Sequence, residues 1–273
     1  MRVIEHAIES PKGLIWGELA LPDAAVEKDA GESAGDASGA GAASGSASSP
    51  LPLVIYSHGF NSSGERGLRF AEAITRAGFA LYCFDFRGGS VTSKSADSTL
   101  EMSVETECAD LAEVIDSLAA DPCFDERNVF LFGASFGGLV SALTAARAPE
   151  KIRGLALHYP AFCIPDDVRE RYASLDDIPA TSFELSMDVG RIFAEDAWNL
   201  DPYAEIGAFT SDVLITHGTA DPLVAPLYSQ RAANTYAHAE LHLIEGAGHG
   251  FYDEALTEAT DYLMGYLKRH RTW

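Results

Sequence analysis

Short runs in which almost every residue is apolar alternate along this chain with longer stretches whose apolar positions recur every three or four residues. The runs fall at 51–57, 79–84, 128–132, 152–158, 212–217 and 240–244. A strand apolar at every position is buried on both faces, which is the pattern of a parallel sheet covered by helices. Helical stretches separate the runs. One ends near Ala77 and is capped by Gly78; a second, over 103–120, carries Val104, Cys108, Leu111, Ile115 and Leu118 on one face. Others follow Gly137, run over 226–236, and close the chain over 252–269. Residues 2–9 and 13–20 alternate apolar and polar around Ser10-Pro11-Lys12-Gly13, predicting an antiparallel hairpin whose two strands begin the sheet at its edge. This order implies an α/β fold with a mostly parallel sheet, helices on both faces and ligands at the carboxyl ends of the strands.

The rhythm breaks twice. From 24 to 50 the chain is Ala, Gly, Ser and Asp with no large apolar residue after Val26, a composition expected to form a disordered loop insertion. From 159 to 205 it mixes prolines, acids and aromatics, with a helix predicted over 183–196, as expected of a lid or cap insertion. The 273 residues, 47% hydrophobic, suit one domain over 1–273.

A formal net charge of −22 argues against a polyanionic partner such as nucleic acid. Neither a signal-peptide core nor an apolar stretch of membrane-spanning length occurs, so no membrane partner and a cytoplasmic location are expected. Cys83, Cys108, Cys123 and Cys163 are scattered, which fits reduced thiols better than a disulfide frame or a metal site.

The run at 128–132 leads into Gly133-Ala134-Ser135-Phe136-Gly137-Gly138 and then into a helix. Gly-x-Ser-x-Gly between strand and helix is the context of a nucleophile elbow, where small residues keep neighbouring backbone from colliding with a strained serine. Ser135 is therefore the candidate nucleophile. It needs an imidazole base, and His249, in the glycine-rich loop after the last strand, fits the chain order of nucleophile, acid and base. Asp221, after the strand ending in His217, is the candidate acid that holds the imidazole; Asp253 is the alternative. Two backbone N–H groups are expected to receive the oxyanion, those of Phe136 and Phe60. His58 is expected to structure its loop, while His158 and His217 also stand at strand ends.

His58-Gly59-Phe60, Gly133 to Gly138, His217-Gly218-Thr219-Ala220-Asp221 and Leu243 to His249 together resemble the bacterial cinnamoyl (feruloyl) esterases of the α/β-hydrolase superfamily, over about 51–267. The resemblance implies an eight-stranded sheet and a lid over an aromatic pocket. There an Asp and a Tyr bind phenolic hydroxyls. Asp167 falls near the first position, with Asp166 one residue away, and Phe193 stands where the Tyr is expected, which opens the pocket to other aryl or alkyl acids. The expected activity is carboxylic-ester hydrolysis through an acyl-enzyme, on small aromatic or medium apolar acyl esters, with no cofactor and no metal. Thioesters and amides use the same machinery. An oligopeptidase-like peptidase is the alternative enzyme, a hydrolase-fold binding protein the alternative class, and a homodimer is left open.

Overall fold

The apolar runs form the parallel centre of an eight-stranded sheet in the computed structural model, which describes residues 1–23 and 49–272. The insertion expected at 24–50 lies outside the described residues except for its last two. The strands are β1 (Arg2–Glu5), β2 (Ile8–Ser10), β3 (Gly13–Ile15), β4 (Gly17–Leu21), β5 (Leu51–Ser57), β6 (Ala80–Phe84), β7 (Phe124–Ala134), β8 (Gly154–His158), β9 (Thr181–Glu184), β10 (Met187–Gly190), β11 (Val213–Gly218) and β12 (Ala239–Ile244). The main sheet has the order β1-β4-β6-β5-β7-β8-β11-β12. It is parallel from β6 to β12, while β4 is antiparallel to β6 and β1 to β4.

Successive residues of each central strand enter opposite halves of the core, because a strand points its side chains alternately up and down. Val129, Leu131, Leu53 and Ile55 pack with the helices α2 (Val104–Ala119), α3 (Phe136–Arg147) and α7 (Pro226–Thr235). Phe130, Phe132, Val54 and Tyr56 pack with α1 (Ala71–Arg76) and α8 (Asp253–His270) on the other face. Helix α2 starts at a reciprocal capping box: Ser103 Oγ accepts from Thr106 N–H, and Thr106 Oγ1 accepts from Ser103 N–H.

The N-terminal hairpin keeps one register, Arg2 opposite Leu21 and Ile8 opposite Ile15, but splits into two ladders. Trp16 leaves the hairpin to bond the loop after β6, donating its N–H to Ser95 Oγ and accepting from Asp85 N–H. Of the two hairpin strands in the main sheet, β1 is at the edge and β4 lies inside it, against β6.

Between β8 and β11 lie α4 (Ile164–Arg171), the β9–β10 hairpin, α5 (Arg191–Asn199) and α6 (Pro202–Ile206). The helix predicted over 183–196 is corrected: only its second part is helical, and residues 181–190 form the hairpin. Leu185 and Ser186 make its turn with both φ angles positive, 40° and 68°, a conformation that glycine or asparagine normally announces. Among the described residues no helix is long and apolar enough to cross a membrane.

Candidate active site

Strand β7 ends at Ala134 and α3 begins at Phe136, so Ser135 alone makes the turn, at φ 54° and ψ −119°. Such a backbone is costly for a residue with a β-carbon and persists only where its surroundings enforce it. Those surroundings are tight. A β-carbon on Gly137 would meet the carbonyl oxygens of Ser57 and His58 at 2.3 Å, and one on Gly133 would meet the Gly137 carbonyl oxygen at the same distance. Hydrogen bonds fix the rest: Ser135 N–H donates to His158 O, and Ser135 O accepts from the N–H groups of Gly138, Leu139 and Ala161.

His249 arrives in the loop after β12, and Asp221 in the loop after β11. The Ser135 hydroxyl lies 2.9 Å from His249 Nε2, and His249 Nδ1 lies 2.8 Å from Asp221 Oδ2. A carboxylate at Nδ1 requires a hydrogen there, which leaves Nε2 free to accept from the serine. The Asp221 side chain is fully buried, and its other oxygen accepts from the N–H groups of Leu223 and Val224. Tyr159 sets its ring edge-on to the imidazole with centroids 4.8 Å apart. Asp253, the alternative acid, is exposed at the start of α8.

Above this array lies a cavity of about 670 Å³ that takes in Ser135 and His249. The rings of Phe60, Phe136 and Phe193 line it close to the serine and pack on one another at centroid distances of 5.5 to 6.0 Å. The segment between β8 and β11 supplies much of the remaining wall, including Asp167 and Arg171 of α4 and Phe183 and Leu185 of the hairpin. Asp166 points elsewhere, pairing with Arg169 and accepting from the Tyr228 hydroxyl. Phe136 N–H is the first of helix α3, one of the four that a helix leaves without an intrahelical acceptor.

Residues 48–188 match the family described as serine aminopeptidase, S33. The chain belongs to this family of hydrolases. It shares its fold with the ferulic acid-bound structure of Est1E from Butyrivibrio proteoclasticus, at a TM-score of 0.81 and 20% identity over 97% of this chain and 98% of that one. The proline iminopeptidase PfmaB of Pestalotiopsis fici is 27% identical over 206 residues, 70% of this chain and 64% of that protein. An uncharacterized 31.7 kDa protein from a traX-finO intergenic region of Escherichia coli is 38% identical over 90 residues, 32% of this chain and 30% of that one. The chain thus spans less than two thirds of the length of these curated relatives.

The electrostatics of this S33 hydrolase favour the charged form of the Asp221 carboxyl. Burial alone would raise the Asp221 carboxyl, but hydrogen bonds from His217, His249 and two backbone amides outweigh it and hold the group well below the ordinary range. His58 is buried, donates Nδ1–H to Gly59 O at 2.8 Å and accepts from Phe86 N–H at Nε2; burial lowers its pKa, so it is a neutral brace within its loop. Burial, with the nearby Arg69 charge adding to it, lowers His158 to about 3, and neither of its ring nitrogens has a hydrogen-bond partner among the described residues. Among the described residues no group of His, Cys, Asp and Glu is arranged to hold a metal ion.

Two contributors to the site escaped the sequence reading. Tyr159 directly follows β8, the strand beside the elbow, and that position was the available clue. Cys163, buried at the cavity wall ahead of α4, offered none.

Proposed function

We propose that the protein is a serine carboxylic-ester hydrolase in which Ser135 is the nucleophile, His249 the base and Asp221 the acid. The observation that carries this reading is the unbroken hydrogen-bonded line from Asp221 Oδ2 through His249 to the Ser135 hydroxyl at the floor of the cavity. Ser135 Oγ attacks the acyl carbonyl while its proton passes to His249 Nε2, and the buried Asp221 carboxylate stabilises the resulting imidazolium. The N–H groups of Phe60 and Phe136 receive the oxyanion, each worth about 3 kcal/mol of barrier in comparable sites. As the intermediate collapses, Nε2 returns the proton to the departing alkoxide and the acyl group stays on Ser135. Water, deprotonated by the same imidazole, then releases the acid and frees the serine.

The three phenylalanine rings beside Ser135 suit an aromatic or medium-sized apolar acyl group, and Asp167 on the cavity wall supplies an acceptor for a ring hydroxyl. Hydroxycinnamoyl-type esters meet both features, in keeping with the ferulic acid in Est1E. No cofactor takes part in this chemistry. A second reading, release of an N-terminal residue from a peptide, is favoured by the family description and by the iminopeptidase relative. Labelling by a fluorophosphonate, abolished in Ser135→Ala, tests the nucleophile. A panel of aryl and alkyl esters run beside an aminoacyl anilide with a free amino group separates the readings, and cleavage of the anilide alone would reverse their order.

A further inference from the structure

The acid of the proposed triad is held by two imidazoles rather than one. His217, the penultimate residue of β11, is wholly buried, and its Nε2 lies 2.9 Å from Val224 O and 3.3 Å from Asp221 Oδ2. A carbonyl oxygen can only accept, so Nε2 carries a hydrogen, shared between Val224 O and the carboxylate. On the other side of the ring, Nδ1 lies 2.7 Å from Ser229 Oγ in α7; with the hydrogen at Nε2, the hydroxyl donates to Nδ1. Ser229 is itself fully buried, so this bond has no water to compete with it. The ring is thereby locked between the strand, the acid's own loop and the following helix.

We propose that His217 is a positioning residue, an Nε2–H donor that acts through Asp221 and limits how strongly that carboxylate holds the His249 imidazolium. The oxygen that faces His249 is the one His217 also faces. Every further donor at that oxygen spreads its charge and weakens its pull on the catalytic imidazole. His217 also fixes the carbonyl of Val224, whose N–H bonds Asp221 and whose side chain lines the cavity. Among the described residues the Tyr159 phenol and the Cys163 thiol, both pushed up by burial and uncharged, also face this assembly, and the Asp167 carboxyl, hydrogen-bonded to that thiol, shares the cavity with His249. None of the three is among the groups whose hydrogen bonds hold Asp221.

The proposal rests on the serine-hydrolase reading, and the test separates the two. The readout is the pH dependence of Ser135 labelling by a fluorophosphonate, which needs the serine and its base but no knowledge of the substrate. An unlabelled wild-type protein would refute the hydrolase reading itself. In His217→Leu the acid limb of the labelling profile is expected to move up by about 0.5 to 1 pH unit, with a labelling rate roughly tenfold lower. In His217→Gln, whose amide keeps a donor near the same place, the limb returns toward the wild-type position. An acid limb unmoved in His217→Leu overturns the proposal, whatever the rate does. Nitrogen NMR of the wild-type protein guards against a variant that fails to fold: His217 should carry a hydrogen at Nε2, and a tautomer with its only hydrogen at Nδ1 would overturn the proposal equally.

Discussion

Gly59 faces Ser135 so closely that a β-carbon at position 59 would stand 3.2 Å from Ser135 Cβ and 3.6 Å from its hydroxyl oxygen. The approach is tight but leaves the backbone of Gly59 unstrained, so Gly59→Ala should fold normally and crowd the nucleophile alone. A displacement of a few tenths of an ångström at the reacting oxygen is expected to lower kcat/KM by roughly 10- to 100-fold with little change in melting temperature. Unchanged ester hydrolysis would show that the loop at 58–60 lies farther from the chemistry than this contact indicates.

Ser135→Ala and His249→Ala should each reduce kcat toward 4-nitrophenyl esters by about 10⁴ to 10⁶, because each removes the same proton-transfer unit. The double variant should be scarcely worse than either single one. A folded single variant retaining a tenth of the wild-type rate would contradict the assignment.

His158 predicts a pH effect on stability. Its folded-state pKa, about 3, lies below the ordinary 6.5, so the unfolded chain binds the proton more readily between those values. Stability is fullest above pH 6.5 and falls as pH drops, at up to about 1.4 kcal/mol per unit from this group. His158→Leu should remove that part of the slope. Denaturant unfolding of both proteins between neutral pH and about pH 4 measures the difference, and parallel curves would show that the imidazole is hydrated in the native state.

Glu107 acts in the opposite sense. Buried on α2 with both carboxyl oxygens lacking a partner among the described residues, it sits where a β-carbon on Gly89 would come within 3.0 Å of Glu107 Oε1 and 3.2 Å of His58 Cε1. Burial raises its pKa well above 4.5, so the folded protein keeps the proton that the unfolded chain gives up. The stability it permits is therefore present below pH 4.5 and lost as pH rises. Glu107→Met should raise the melting temperature, more at about pH 8 than at about pH 4, since it deletes two unsatisfied oxygens. A lower melting temperature at both would mean that the carboxyl has a partner.

Asp167 bears on substrate choice. If it accepts from a ring hydroxyl, Asp167→Ala should lower kcat/KM for methyl caffeate or ferulate by roughly 10- to 100-fold, the effect of a hydrogen bond worth about 1.5 to 3 kcal/mol. Methyl cinnamate, which has no ring hydroxyl, should be nearly indifferent. Equal losses on both substrates would assign Asp167 to the shape of the cavity alone.

The sheet and the Ser135, Asp221 and His249 array were legible because glycines, apolar runs and chain order are local features that the sequence displays directly. The β9–β10 hairpin was not, since Leu185 and Ser186 adopt left-handed turn conformations without any of the residues that usually mark one. Glu107 was missed for a related reason. It lies on the same face of α2 as Val104, Cys108 and Leu111, and only the residue type, which reads as solvent-facing, hid its burial. The pairing of Arg87 with Asp110, buried and bridging 23 positions of sequence from the loop after β6 to α2, depends on tertiary packing that no spacing encodes.

The bond from Ala161 N–H to Ser135 O, 2.9 Å long, makes the nucleophile's own peptide the anchor for the chain that roofs it. A roof anchored there cannot lift away at its root without unseating the serine. In the proposed hydrolase the route left for substrate is the far margin, where Phe183 and Leu185 stand largely in solvent and Leu185 O accepts from the Asn61 side chain, one residue beyond Phe60. On that reading, a change in turnover caused by substitutions at the hairpin's edge would report on passage rather than on bond cleavage.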